Sequence, residues 1–419
     1  KMDKDKEIVE STFLKDFANR FELTEIKKEN YSGLIFSKEE FLEYAGKSGI
    51  DFIEKRFSAD ALEDIPSTEK MKKSINIEKL RKEEGFPESV YNGFLFAEDA
   101  GEIPPKTKEH LEKMQFNQYS ISQLENYAKG PFKYFMERIL KVELTEEPTE
   151  EVEALELGSV LHSILFNFYT ELRSKNIDLS DSTSYNFNEV KDLLFKIGRE
   201  ISEKVFYNSE ITFFERERLF GIGGKEEESI LYKFLENEIA NSDTFKPKFF
   251  EVSFGRTHKE ETDAEISRDE PLKVADVKLA GKIDRIEVDE KEKKFNIVDY
   301  KLGYTKPTRS DFAEGISLQL PVYMRITQLL LNEKYGCNYQ PGEMYIYSLK
   351  FDEDKFGKTK IAVKDQASLI NEIIEKVKFY VENISEGKFN LSLLERREEK
   401  VCRFCDFRSV CRIQETADR

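Results

Sequence analysis

The sequence predicts an α/β protein, because two different apolar spacings follow one another along the chain. Apolar residues recur at helical spacing up to about residue 240, and the period then changes to two. Residues 276–288 and 295–302 alternate as two strands joined by a charged turn, which indicates a hairpin. A helix around 319–330, strand segments at 344–349 and 358–363 and an amphipathic helix over 369–381 complete the pattern.

Length and charge limit the classes of function. A chain of 419 residues is long enough for two or three domains. Its 36% of charged residues exceeds the roughly 25% of an average soluble protein, and the net charge is −17. Such a surface is not that of a protein that coats nucleic acid, so any nucleic-acid contact is expected to be local. The sequence has no apolar run of membrane-spanning length, and we expect a cytoplasmic protein with no membrane partner.

The first domain is predicted over residues 1–115, as a helical lead. Ser11 precedes apolar residues at helical spacing, and Ser37 with Glu40 forms a capping box before another such run. A break at Pro104-Pro105 places the boundary near residue 115, and residues 116–419 are predicted to form the second domain.

Ionisable residues end both strands of the predicted hairpin. Asp284 lies on the first strand, and Asp299 and Lys301 lie on the second, each in line with apolar residues. Buried charges must pair or bind metal, although an isolated Asp-x-Lys is most often an exposed ion pair. Two helical pairs at i, i+4 strengthen the case for a site, namely Gly158 with His162 and Gln319 with Tyr323.

The C-terminal tail carries Cys402, Cys405 and Cys411 in a C-x2-C-x5-C spacing. Four cysteines in so long a chain are not a disulfide framework, which favours a reducing compartment and a metal or cluster site. Basic residues outnumber acidic ones by six to three around these cysteines, so the tail is the best candidate for contacting phosphates.

Four ordered segments, LGSVLH, GKIDRIEV, IVDYKLG and LQLPVY, resemble the RecB-family branch of the PD-(D/E)XK nucleases, in particular the nuclease domain of AddB-type helicase–nuclease subunits. The phrase SISQLENYAKGPFKYFMERIL and the tail CRFCDFRSVCR resemble the two segments that hold an iron–sulfur cluster in that branch. The resemblance covers roughly residues 118–412. It implies a restriction-endonuclease-like core, with a central mixed sheet flanked by helices, behind a helical N-terminal region that would be the remnant of a helicase-like domain.

The resemblance also implies residue roles. A divalent metal, Mg²⁺ or Mn²⁺, would be held by His162, Asp284, Asp299 and the backbone carbonyl of Tyr300. The catalytic set would consist of Asp284, Asp299, Lys301, Gln319 and Tyr323, with Lys301 acting on the water or the transition state. Glu251 falls where related nucleases often carry a glutamate, and either a supporting or a structural role fits it.

The fourth ligand of the family's iron–sulfur cluster falls on Gly130 in this sequence. Cys337 lies outside the cluster-binding phrases and is interpreted as a buried or loop thiol. Three explanations stay open for the tail: a cluster with an incomplete or external fourth ligand, a cluster that has been lost, or zinc with a non-cysteine ligand.

The resulting hypothesis is a metal-dependent DNA nuclease that works with a helicase partner in double-strand-break repair and recombination, on single-stranded ends. The alternatives are a catalytically weak DNA-binding or scaffold protein, a stand-alone RecB-like exonuclease, and a tail that acts as a separate zinc or redox module.

Overall fold

The computed structural model describes residues 2–3, 6–7, 20, 68–83, 85–143, 154–205, 213–241, 244–256, 261–303, 306–350 and 356–413. The chain divides into two compact units, Lys1–Leu80 and Arg81–Arg419. The first contains the paired strands β1 (Met2–Asp3) and β2 (Lys6–Glu7), and helix α1 (Thr68–Lys82) starts in it. The helices predicted after Ser11 and Ser37 lie outside the described residues, and the boundary near residue 115 stays a prediction.

The second unit contains the predicted alternation of helices and strands. Its described helices are α2 (Pro105–Met114), α3 (Ile121–Lys129), α4 (Pro131–Tyr134), α5 (Ala154–Ser174), α6 (Phe187–Val205), α7 (Phe213–Phe220), α8 (Ile230–Ala240), α9 (Arg309–Glu314), α10 (Gln319–Tyr335), α11 (Gln366–Ser385), α12 (Arg397–Lys400) and α13 (Arg408–Cys411). Its described strands are β3 (Gln118–Ser120), β4 (Lys246–Phe254), β5 (Leu272–Val274), β6 (Val277–Asp289), β7 (Lys294–Lys301), β8 (Gln340–Ser348) and β9 (Gly357–Lys360). Within the described ranges, no helix combines the length and apolarity needed to cross a membrane.

The seven described strands of this unit form one mixed sheet around β6. The first part of β6 pairs with β3 in parallel and with β5 in antiparallel orientation, and the second part pairs antiparallel with β4 and β7. β7 continues parallel to β8, which is antiparallel to β9. The predicted hairpin of β6 and β7 is confirmed, and the Asp289 carboxylate closes its turn by accepting the N–H groups of Lys291 and Glu292.

Helices cover both faces of this sheet. Alternate residues of β7 separate the two layers: Phe295 and Ile297 join a core with α3, α10 and α11, whereas Val298 and Tyr300 join a core with α5, α6 and α8. All four of these side chains are nearly fully buried. The expected α/β class, a central mixed sheet flanked by helices, is therefore confirmed.

Candidate functional site

Three acidic residues lie side by side where strands β4, β6 and β7 meet. The β6–β7 ladder ends at Arg285 and Val298, and one further step of that register sets Asp284 opposite Asp299. In the β4–β6 register, Glu251 is opposite Asp284. The Asp284 Oδ2 atom accepts the N–H of Tyr300 at 2.8 Å, so a carboxylate takes the place of a ladder hydrogen bond here. The sheet thus gathers three carboxylates that are far apart in the sequence.

His162 reaches this group from helix α5. Its Nδ1 lies 2.9 Å from Glu251 Oε1 and 3.6 Å from Asp284 Oδ1. The other oxygen of Glu251, Oε2, lies 2.5 Å from Lys282 Nζ. Of all described residues, only His162, Glu251 and Asp284 form a set of three metal-binding side chains whose ligand atoms lie within 4.8 Å of one another.

Glu251 adopts an unusual backbone conformation inside strand β4. Its φ is +52°, in the left-handed region that non-glycine residues rarely occupy. Such a conformation costs on the order of 1–3 kcal/mol and is found most often at functional sites. Its contacts with His162 and Lys282 place Glu251 within the site. From the sequence, either a supporting or a structural role fits this residue.

Asp299 and Lys301 form the second half of the site. Asp299 is 2% exposed, and its Oδ2 lies 2.8 Å from the Nζ of the half-exposed Lys301. Lys301 also donates to Gln319 Oε1 at 3.4 Å, and the hydroxyl of Tyr323 hydrogen-bonds to the Gln319 side chain and to the backbone of Lys282. The two polar residues predicted at i, i+4 on a helix therefore contact the β6–β7 end of the sheet from α10.

The electrostatics of these residues favour the binding of a cation. Burial raises the pKa of Asp284 to about 7, with Asp299 and Glu251 adding to the rise and His162 opposing it. Burial also raises the pKa of Asp299, against the opposing effect of Lys301. The pKa of His162 is lowered by burial but raised more by Asp284 and Glu251, and it reaches about 9. Keeping Asp284 and Asp299 ionised in this buried place therefore costs free energy, and a bound divalent cation would remove that cost.

The donor set fits a divalent metal. Carboxylate oxygens are the ligands that Mg²⁺ and Mn²⁺ prefer, and an imidazole nitrogen suits Mn²⁺ as well. Asp299 Oδ1 is buried and accepts no hydrogen bond from any group in the described part of the chain. Buried polar atoms are usually paired, so this oxygen is available as a ligand. Gly158 adds nothing to the fit, since a Cβ there would meet Leu302 Cδ1 at an ordinary 3.5 Å.

The tail cysteines do not fit a four-thiolate cluster. Cys402 is buried in a small apolar cluster with Phe86, Leu391 and Ile413, whereas Cys337 packs against the separate main core. A Cβ at Gly130 would meet Lys133 Cβ at 3.5 Å, so a ligand side chain would have room at a position that carries none. Nor does any set of three metal-binding side chains that includes a thiol gather among the described residues.

Hydrogen bonds fasten the segment before the tail to helices α3 and α4 without a metal. Tyr127 Oη donates to the Lys388 carbonyl at 2.5 Å, and Ser392 Oγ donates to the Lys129 carbonyl at 2.7 Å. The N–H of Phe132 donates to the Asn390 carbonyl at 3.1 Å. These bonds hold the chain that leads into the tail against α3 and α4.

The tail is less basic in the fold than in the sequence. Arg397 is 1% exposed, so it is withdrawn from the surface, and three other cations pair with glutamates: Arg396 with Glu399, Arg408 with Glu398 and Lys400 with Glu314. Glu398 and Glu399 are already counted among the three acidic residues of the tail, and only Glu314 comes from outside it. The interpretation of the tail as a phosphate-contacting patch is weakened by the burial of Arg397 and by this one additional pair. Phe404 is 74% exposed, whereas Phe407 is buried.

Two residues of the site were missed in the sequence. Lys282 lies two positions before Asp284 on β6, so its place on the same face of the strand could have been read from the alternation. Glu125 on α3 accepts the N–H groups of Leu318 and Gln319 at 2.7 and 3.1 Å. It is almost 200 residues away in sequence, and no local pattern indicates that contact.

A mixed sheet whose neighbouring strands carry Asp284 and Asp-x-Lys, with a glutamine–tyrosine helix beside them, is the arrangement expected of a PD-(D/E)XK nuclease. The chain belongs to this class: the family described as the PD-(D/E)XK nuclease superfamily matches residues 118–412, more than two thirds of its length. The family resemblance seen in the sequence is thereby confirmed.

Individual relatives carry a more specific name. The chain is similar to the B-type subunit of the ATP-dependent helicase/deoxyribonuclease of Lactobacillus gasseri, with 27% identity over 250 residues, 59% of this chain and 21% of that protein. The protein of the same name from Clostridium botulinum strain Loch Maree is 28% identical over 244 residues, 56% of this chain and 19% of that protein. That of Thermoanaerobacter sp. is 23% identical over 391 residues, covering 78% and 32% respectively. The chain thus spans about a fifth to a third of the length of these relatives.

Proposed function

We propose that this chain hydrolyses phosphodiester bonds of DNA with the help of Mg²⁺ or Mn²⁺. The observation that carries the proposal is the group of three carboxylates and one imidazole at the β4–β6–β7 junction, beside a half-exposed lysine. His162, Asp284 and Asp299 would hold the metal together with the Tyr300 carbonyl, and the contacts of Glu251 make it a further candidate ligand. The bound metal would supply an activated water and neutralise charge on the scissile phosphate.

The protein's own residues divide the remaining work. Tyr300 N–H and His162 fix the two oxygens of Asp284. Lys301 keeps its proton, because Asp299 raises its pKa against the opposing effect of burial, and so offers positive charge to the phosphate oxygens as they become more negative. Gln319 on α10 accepts a hydrogen bond from the Lys301 ammonium, and the Tyr323 hydroxyl bonds to the Gln319 side chain.

The relatives support the finer part of the proposal. They are named as subunits of a helicase/deoxyribonuclease, and we infer that this chain works with a helicase on single-stranded DNA ends, in repair and recombination. The four cysteines are all free thiols, which supports a place in the reducing cytoplasm.

End-labelled single- and double-stranded DNA, with Mg²⁺, Mn²⁺ or EDTA, tests the proposal. We expect metal-dependent cleavage that falls by about 10³-fold in both Asp299→Ala and Lys301→Ala, because each removes transition-state stabilisation. Asp178→Ala is the matched control, since the Asp178 carboxylate lies outside the site and, among the described residues, bonds to the exposed Lys246 and Ser180. Undiminished cleavage by both site variants would overturn the assignment, and tight binding of DNA without cutting would favour a scaffold role.

A further inference from the structure

Helix α10 begins without a capping side chain of its own. The residue before its first turn is Leu318, which has no hydrogen-bond acceptor in its side chain. The first N–H groups of a helix have no partner within the helix, and a Ser, Thr, Asp or Asn at this position usually supplies one. Because Gln319 is the first residue of α10, any fraying of this turn would move a catalytic side chain directly.

Glu125 supplies the missing acceptor from another helix. Its Oε1 accepts the N–H of Leu318 at 2.7 Å and the N–H of Gln319 at 3.1 Å. A carboxylate at this end of a helix is also favoured by the helix dipole. Glu125 therefore does for α10 what a capping residue normally does, across a separation of almost 200 residues.

The helix that carries Glu125 is itself held firmly. Ser120 caps α3 in a capping box with Gln123. At the other end of α3, Tyr127 and the Lys129 carbonyl are bonded to the segment 388–392. The acceptor for α10 is thus attached to a fixed element, a requirement for precise positioning.

Gln319 connects the start of α10 to the site. Glu125 accepts its N–H at 3.1 Å, and its side-chain Oε1 accepts a hydrogen bond from Lys301 at 3.4 Å. The first residue of α10 therefore belongs to the same hydrogen-bonded pair as the lysine of the site.

We propose that Glu125 is a positioning residue of the active site, which caps helix α10 and thereby holds Gln319 against Lys301. The inference rests on the proposed nuclease function. Glu125 makes no contact with the metal-binding set, and its role is to accept the two N–H groups rather than to carry charge.

Steady-state cleavage by Glu125→Ala and Glu125→Gln tests the role. We expect kcat to fall about 10-fold in the alanine variant with KM within about 2-fold, because small displacements of positioned groups lower the rate of the chemical step. The glutamine variant keeps an acceptor oxygen and should stay within about 3-fold of the wild type. Glu109→Ala is the control, since Glu109 on α2 makes only an exposed pair with Lys113. Equal losses in both Glu125 variants would overturn the proposal.

A double-substitution cycle separates positioning from a general loss of structure. If Glu125 acts through Gln319, Glu125→Ala should lower kcat by less than about 2-fold in a Gln319→Ala background. Full additivity would show an independent role and would contradict the proposal.

Hydrogen exchange provides a readout that does not depend on cleavage. The amides of residues 318–322 should exchange faster in Glu125→Ala than in the wild type, whereas the amides of β7 should not change. Unchanged exchange rates of the amides at the start of α10 would contradict the capping role. A wild-type protein that cuts no DNA would refute the nuclease function instead, and the exchange result would still decide the capping role.

Discussion

Two charged groups of different character meet on strand β6. The open group consists of His162, Glu251, Asp284, Asp299 and Lys301, and the sealed group consists of Tyr169, Glu238, Arg285, Glu287 and Lys358. Arg285 directly follows Asp284 in β6, so the two groups begin one residue apart, and helix α5 contributes a residue to each.

The sealed group is closed and balanced. Arg285 is fully buried, and its two terminal nitrogens lie 2.9 Å from Glu238 Oε2 and 2.6 Å from Glu287 Oε1. Lys358 Nζ lies 2.6 Å from the other oxygen of Glu287, and Tyr169 donates to Glu238. Burial lowers the pKa of Arg285, but Glu238 and the neighbouring groups raise the pKa by more than burial lowers it. The charged form of Arg285 is therefore the stable one.

The open group differs in its charge state and its exposure. The pKa values of Asp284 and Asp299 are raised by burial, so their charged forms are disfavoured, whereas the charged form of Arg285 is favoured. Lys301 and His162 are partly exposed, whereas Arg285 is fully buried. The comparison teaches that burial of charge alone does not identify a functional site, whereas destabilised charge together with access from solvent does.

The largest effect on stability is expected at the centre of the sealed group. Arg285→Met should lower the free energy of unfolding by about 3–5 kcal/mol, because Glu238 and Glu287 would remain buried without their main partner. Denaturant unfolding measures the loss, with Arg325→Met as the exposed control. A loss below about 1 kcal/mol would mean that the sealed group is not closed in solution.

Metal binding should distinguish the open group. Mn²⁺ at about 100 times its Kd should stabilise the wild type by about 2.7 kcal/mol, and Asp284→Asn should abolish this gain. Thermal melting with and without Mn²⁺ measures both values. An undiminished gain in the variant would place the metal elsewhere.

Lys358 at the edge of the sealed group and Lys282 at the edge of the open group allow a matched comparison of stability. Lys358 in the sealed group is 14% exposed, whereas Lys282, which pairs with Glu251 beside the open group, is 37% exposed. We expect Lys358→Met to cost about 1–2 kcal/mol and Lys282→Met to cost less than about 1 kcal/mol, since solvent weakens the second pair. A reversed order in denaturant unfolding would contradict the distinction.

The smallest expected effect is that of salt on the same two variants. Raising NaCl from about 0.1 M to 1 M shortens the screening length from about 10 Å to 3 Å. The stability cost of Lys282→Met should therefore shrink by a few tenths of a kcal/mol, and that of Lys358→Met should change less. Equal salt dependence would show that both pairs are open to solvent.

Much of the fold and part of the site could be predicted from local patterns. The period-two stretches gave the β6–β7 hairpin, and the i, i+4 pairs placed His162 on α5 and Gln319 with Tyr323 on α10. Such patterns are visible because strand and helix geometry repeats over a few residues. The assignment of chemical roles to these residues came from family resemblance, and those roles stay proposals.

The sequence by itself determined the β6–β7 hairpin, the helices that carry His162 and Gln319, the superfamily and most residue types of the site. Only the tertiary structure decided that Glu251 contacts His162, that Glu125 accepts the first N–H groups of α10, and that Glu314 pairs with Lys400 of the tail. The physical reason is that hydrogen bonds and ion pairs form between groups that the fold brings together from distant parts of the chain, and no local periodicity records such contacts. Asp284 and Arg285 are adjacent in the sequence, yet the partners that the fold places around each make one a candidate metal ligand and the other a buried structural charge.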